Sequence, residues 1–213
     1  VNYFPSFKHI EHFAVIGTNF TKADTQTRSK YAIPKSTETT VYENASRNGF
    51  SDFFLLSTCN RTEFYACGPV SSLKEIVTSQ LSVNETDFNQ YFYTLQGMDA
   101  VRHFFNVVSG LDSQIIGDYE IVCQVKSALD EARKYELVGT ITDRISNFAY
   151  QAQKKVKAHT NLSSGKYSVS YAAAELIFHE SANQDFKNIL ILGTGDFGST
   201  VARNIRHNFH NVK

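Results

Sequence analysis

Two short runs dense in apolar and aromatic residues, 52–57 and 63–67, are separated by the polar stretch Thr58-Cys59-Asn60-Arg61-Thr62. Gly68-Pro69 then stops the second run. The pattern predicts two buried strands with a polar interruption between them, since apolar runs of this length bounded by turn residues suit a sheet. Any fold the chain adopts must therefore hold a cysteine and an arginine at the end of a strand pair.

The surrounding periodicity fills in an α+β domain. Residues 11–20 carry Phe13, Val15 and Ile16 ahead of Gly17 and suit a short strand, and 37–48 have a helical polar pattern closed by Gly49. Residues 71–81 and 99–108 are predicted helices, the latter with Val101, Phe104, Phe105 and Val108 on one face. A helix over 119–135 places Ile121, Val125, Leu129 and Ala132 together, and another covers 143–159. The expected fold is an α+β domain with a small mixed or antiparallel sheet, ending near residue 163.

Residues 161–166, rich in Asn, Ser and Gly, form the predicted interdomain joint. After it, 168–180 is a predicted helix, 188–193 a continuous apolar strand, and 197–207 a helix. Between the last two lies Gly193-Thr194-Gly195-Asp196-Phe197-Gly198. Strand, G-x-G-x-x-G and helix in that order predict the phosphate turn of a Rossmann-like α/β domain: the first glycine permits the turn, the second admits a pyrophosphate, and the third packs helix on strand. The second domain is expected to begin near residue 164 and to stop short within the 213 residues.

Composition excludes some function classes. The 21 basic residues balance 21 acidic ones, so whole-chain charge announces no nucleic-acid partner, although a local basic face could meet one. No apolar run is long enough to span a membrane, and residues 1–8 lack the apolar stretch of a secretory signal, so a cytoplasmic location is expected. The three cysteines, Cys59, Cys67 and Cys123, fit neither a disulfide framework nor a zinc knuckle and are read as free thiols. Cys67 and Cys123 are expected to be packed. His9 and His12 have no cysteine or carboxylate cluster nearby to complete a metal site, and no metal is expected.

Cys59 is the candidate nucleophile. An ordinary thiol is only slightly ionised at neutral pH, so a working cysteine needs a nearby cation or base, and Arg61 offers one two residues on. From chemistry alone a small buried strand cysteine remains the alternative.

Ser57-Thr58-Cys59-Asn60-Arg61-Thr62-Glu63 resembles the signature of the glutamyl-tRNA reductases. Further blocks resemble that family in the same order: Arg102-His103-Phe104-Phe105 with Ser109-Gly110-Leu111-Asp112-Ser113, then residues 116–126, then Ser168-Val169-Ser170-Tyr171-Ala172-Ala173, then the glycine turn. The resemblance implies an NADPH-dependent oxidoreductase of tetrapyrrole biosynthesis. In such an enzyme Cys59 takes glutamate from glutamyl-tRNA as a thioester, and hydride then releases glutamate-1-semialdehyde.

The resemblance also implies roles. His103 would be the second catalytic residue; Thr58, Asn60, Arg61, Ser113, Asp118, Tyr119, Glu120 and Gln124 would contact substrate, with Arg61 pairing the γ-carboxylate. Gly193, Thr194, Gly195, Asp196, Phe197 and Gly198 would hold NADPH, whose 2′-phosphate reader would lie past residue 213. Implied partners are glutamyl-tRNA, an aminomutase that accepts the product, and a second copy of the full-length protein.

Some positions depart from the family pattern. Glu120 stands where an amide is usual, Cys123 where a glycine precedes Gln124, and Phe20 and Asp24 replace a histidine and a proline, whereas Arg28 matches. These departures, with the lysines at 154, 155 and 157, leave a non-catalytic tRNA-binding or regulatory paralogue of the family as the alternative. A plain NAD(P) dehydrogenase would leave the cysteine turn unexplained.

Overall fold

The computed structural model describes residues 10–160, 162, 169–181 and 188–208. His9, most of the predicted joint, Ser168 and the first eight residues lie outside them.

Strands β1 (Phe13–Asn19), β2 (Phe53–Ser57), β3 (Arg61–Cys67) and β4 (Tyr93–Gln96) form one antiparallel sheet in the order β2-β3-β1-β4. Every residue of β1 is buried, and β3 is buried from Arg61 to Ala66. Because neighbouring strand residues point to opposite faces, burial of both sets means that helices cover the sheet on both sides. Glu63 and Thr62 are thus taken into the interior along with Phe64 and Tyr65.

The helices are α1 (Thr25–Lys30), α2 (Glu38–Arg47), α3 (Val70–Leu81), α4 (Glu85–Tyr91), α5 (Met98–Val108), α6 (Glu120–Lys134) and α7 (Thr140–His159). The predicted stripes are the core faces: Val101, Phe104 and Val108 of α5, and Ile121, Val125, Leu129 and Ala132 of α6, are buried, while Phe105 is partly buried against the core. Phe104 sits edge-on to Phe54 and Tyr65, which stack on each other at 4.5 Å. The start of α7 is tied to the sheet by the buried Asp52, whose carboxylate accepts the Thr142 N–H at 3.0 Å.

Three elements escape the periodicity. Both α1 and α4 are short and polar, and each begins at a cap: Asp24 accepts the Thr27 N–H and Asn84 the Asp87 N–H, both at 2.8 Å. β4 is an edge strand with alternating exposure.

Beyond the sheet domain, α8 (Val169–Ser181) and α9 (Asp196–Asn208) pack through Ala174, Val201 and Ile205. The strand predicted over 188–193 is not formed: residues 188–194 have no regular secondary structure. Ile189 and Ile191 turn toward the helices while Leu190 and Leu192 are 83% and 89% exposed. The alternation of a strand is present, but among the described residues no neighbour supplies the ladder hydrogen bonds that would make it one.

A cysteine cleft backed by a buried ion network

The polar interruption is the turn joining β2 to β3. Thr58 N–H donates to the Arg61 carbonyl at 2.8 Å, and the Thr58 hydroxyl accepts the N–H groups of Asn60 and Arg61 at 3.2 Å. The turn is anchored to the end of β1 by Phe20 N–H to the Asn60 carbonyl, and to α1 by Arg28 Nε–H to the Cys59 carbonyl at 3.3 Å. These bonds hold the backbone while leaving the Cys59 side chain exposed.

Cys59 opens on a cleft of about 160 Å³. Thr58, Asn60 and Arg61 line it from the turn, Ser113 and Asp118 from the loop after α5, and Glu120, Ile121 and Gln124 from the start of α6. Val169 and Phe197, from α8 and α9, complete the wall. Asp118 accepts the Glu120 N–H at 3.1 Å just ahead of α6. Asp118 and Glu120 bring two acidic side chains to the cleft lining, and partial burial, reinforced by Asp118, raises the Glu120 carboxyl above its ordinary range.

Two residues predicted for the site are not on its wall. Tyr119 turns outward, 45% exposed, under the Lys157 ammonium at 4.3 Å from the ring centroid. His103 lies behind the cleft, where its Nε2 is 2.9 Å from Glu63. Among the described side chains of the glycine turn, Phe197 reaches the cleft. Cys123, expected to be packed, is exposed: the buried stripe of α6 passes through Val122 and Val125 and turns position 123 outward. Cys67 is partly buried, and burial, with Asp52 and Glu11, pushes its thiol up to about 11.

Arg61 and Glu63 form the floor of the arrangement. The Arg61 side chain is 1% exposed; Nη1 donates to Glu63 at 2.8 Å and to Asp112 at 3.0 Å, and Nη2 donates to the Asp112 carbonyl. Glu63 also accepts from the hydroxyls of Tyr65, at 2.6 Å, and Tyr93. Burial alone would raise the Glu63 carboxyl, but Arg61 and His103 outweigh it and hold it at about 2. Burial likewise works against the Arg61 charge, and the field of Glu63 overcomes it and raises the guanidinium pKa. Arg61 therefore reaches the cleft with both Nη1 donors and one on Nη2 already engaged, where the sequence suggested a free partner for a substrate carboxylate.

Glu63, His103 and Asp112 also present ligand atoms within 4.8 Å of one another, a donor set that could suit a metal ion. Arg61 bonds to both carboxylates and supplies the positive charge there, so a divalent cation would have to share the space with a guanidinium. Glu63, Asp112 and Tyr93 were not singled out from sequence; a glutamate two residues from an arginine in an otherwise apolar strand is the signal that points to the pair.

At the glycine turn, Gly193 adopts φ +115°, which disfavours a side chain, and a Cβ on Gly198 would run into the Gly193 carbonyl. Gly195 has open space where a Cβ would stand. The residues present fit the close approach of a pyrophosphate at the start of α9.

Residues 16–160 match the family model described as glutamyl-tRNAGlu reductase, N-terminal domain. The chain is 37% identical over 195 residues to a glutamyl-tRNA reductase of Flavobacterium psychrophilum, covering 91% of this chain and 47% of that protein. It is 34% identical over 195 residues to the glutamyl-tRNA reductase of Aquifex aeolicus, with 90% and 48% covered. The solved structure of glutamyl-tRNA reductase from Methanopyrus kandleri superposes with a TM-score of 0.68 at 28% identity, over 95% of this chain and 48% of that one. The chain spans about half the length of the curated relatives it matches. No helix among the described residues is long and apolar enough to cross a membrane. On the family model and the relatives alike, the chain belongs to the glutamyl-tRNA reductase family.

Proposed function

We propose that this chain is the acyl-accepting part of a glutamyl-tRNA reductase of tetrapyrrole biosynthesis, with Cys59 as nucleophile. The observation that carries the reading is the exposed Cys59 on a rigid turn, opening on a cleft that Phe197 of the glycine turn also lines. The Cys59 sulfur attacks the ester carbonyl that joins glutamate to tRNA; the C–O bond breaks, the ribose oxygen leaves with a proton, and a thioester remains. Covalent capture divides one hard reduction into two easier steps, because a thioester is more electrophilic than an oxyester. Gly193 to Gly198 would hold NADPH, which would supply the hydride that displaces the Cys59 sulfur and releases the acyl group as an aldehyde.

The cleft suits an aminoacyl group. Asp118 and Glu120 face the α-ammonium, so the acid that replaces the usual amide at position 120 meets a cation. Ser113 and Gln124 offer hydrogen bonds, and a substrate carboxylate reaching Arg61 competes there with Asp112. His103 acts as a positioning residue: through Glu63 it fixes Arg61, and through Arg61 the turn that carries Cys59. Transfer of the aldehyde to an aminomutase and homodimerisation of the full-length protein belong to the same reading.

The reading is tested by mixing the chain with glutamyl-tRNA in the absence of NADPH and following loss of glutamate from tRNA. A burst equal to the amount of protein, absent in Cys59→Ser, is expected. Loss no faster than in buffer would reject it.

A further inference from the structure

We infer that Asp112 is an internal stand-in for the carboxylate of the substrate: it holds an Arg61 donor in the resting protein and cedes it, by moving to Asn19, when a carboxylate enters the cleft. The inference rests on the reading of the cleft as a glutamate site, and it adds how the buried arginine is kept paired and then released.

The two carboxylates on Arg61 are held very differently. Glu63 is fully buried and accepts from Arg61, Tyr65 and Tyr93, with His103 Nε2 at 2.9 Å. The Asp112 side chain is 25% exposed, and its bonds fall on one oxygen. That oxygen, Oδ2, accepts from Arg61 Nη1 at 3.0 Å and faces Asn19 Nδ2 at a long 3.5 Å. An ion pair reached by water is worth far less than a buried one, so Asp112 is the partner that yields.

The loop after α5 lets this be a movement of the side chain alone. Its neck is closed by the Gly117 N–H on the Gly110 carbonyl at 2.9 Å, and the Asp112 N–H donates to the Asn106 carbonyl at 3.2 Å. The Asp112 carbonyl accepts from Arg61 Nη2. With the backbone tied at these points, the carboxylate can leave Arg61 without unfolding the loop. Arg61 and Ser113, the residue after Asp112, both line the cleft, so the exchanged bond lies beside its wall.

Asn19 is placed to receive the carboxylate. It stands opposite Arg61 in the register of β1 and β3 and is buried. Its Oδ1 accepts the N–H and the hydroxyl of Thr21, at 3.1 and 2.7 Å, which fixes the amide with Nδ2 toward Asp112. His103 Nδ1 lies 3.8 Å from the same Asp112 oxygen. Arg61 is too buried for its charge to go unmatched between turnovers, and Asp112 supplies the match. An incoming carboxylate replaces that charge like for like, whereas a neutral amide leaves Arg61 short.

The test reads protection of Cys59 from iodoacetamide by peptide mapping of the 213-residue chain, with the exposed Cys123 as the unprotected reference. The probe is isoglutamine, which keeps the side-chain carboxylate of glutamate and ends in an amide that cannot be transferred. Glutamine α-amide, which lacks that carboxylate, is the control at matched ionic strength. Isoglutamine is expected to protect the parent at lower concentration than the control. Asp112→Asn keeps the backbone anchors and removes the competing charge, so isoglutamine should protect it at a concentration about tenfold lower, the weight of one hydrogen bond to a charged group. Asn19→Ala should raise that concentration in the parent and have no effect in Asp112→Asn, where no carboxylate needs receiving. If Asp112 only positioned Arg61, Asp112→Asn would instead weaken protection, and that result would overturn the proposal. So would equal protection by the two probes, protection by neither, or an equal effect of Asn19→Ala in both backgrounds. Because isoglutamine gives up no acyl group, the expected pattern without acyl transfer from glutamyl-tRNA would count against the role of Cys59 and leave the exchange at Arg61 standing.

Discussion

Glu63 and Tyr93 meet over Gly17. The three residues stand opposite one another in β3, β1 and β4, and the Tyr93 hydroxyl donates to the Glu63 carboxylate above a residue with no side chain. A Cβ at Gly17 would fall 2.7 Å from the Glu63 Cγ. Gly17→Ala should therefore destabilise the domain by about 1–3 kcal/mol through overpacking, lowering the urea midpoint; an unchanged midpoint would show that the network can shift to make room.

Removing the charge at the centre should cost more. Glu63→Gln leaves Arg61 buried with Asp112 as its remaining carboxylate, and loss of one partner of a buried ion pair costs about 3–5 kcal/mol. The same residue predicts an acid response. Its folded pKa, at about 2, lies below the ordinary 4.5, so the unfolded chain binds the proton more readily. The stabilisation is complete above about pH 4.5 and is lost as pH falls through about 2. Urea midpoints measured from pH 6 down to pH 3 should fall more steeply for the parent than for Glu63→Gln; parallel curves would place the acid sensitivity elsewhere.

His103 separates positioning from direct proton transfer. Asparagine can still donate a hydrogen bond to Glu63, whereas alanine cannot. If His103 acts through Glu63, His103→Ala should slow acyl transfer by at least tenfold and His103→Asn should recover much of the rate. Equal loss in both would indicate a proton-transfer role, which typically contributes 10²–10⁴-fold.

Asp52 offers a test remote from the cleft. Asp52→Ala removes the cap on α7 and should cost about 1–2 kcal/mol. Asp52→Asn keeps the acceptor for the Thr142 N–H and should retain most of the stability. Thermal melts of the two variants decide the point.

The strands around the cysteine turn and the amphipathic helices were legible because each obeys a single periodicity enforced by burial. Cys59, Ser113, Asp118, Glu120 and Gln124 come together from a turn, a loop and a helix far apart in sequence, and the family motifs, more than any local pattern, grouped them. What sequence did not reveal was tertiary in origin. Asp112, on the loop after α5, meets Arg61 only in the folded chain, Tyr93 sits on an unmarked edge strand, and Cys123 faces outward because the stripe of α6 bypasses it. The predicted strand at 188–193 shows the converse, since an apolar run specifies extended backbone but a strand also needs a neighbour.

The most direct measurement is intact mass and peptide mapping of the chain after incubation with glutamyl-tRNA carrying labelled glutamate, without NADPH. Labelled glutamate on the peptide containing Cys59, labile to hydroxylamine and absent from Cys59→Ser, is the predicted result. Label on no peptide, or label that persists in Cys59→Ser, would contradict the assignment of Cys59 as the acyl acceptor.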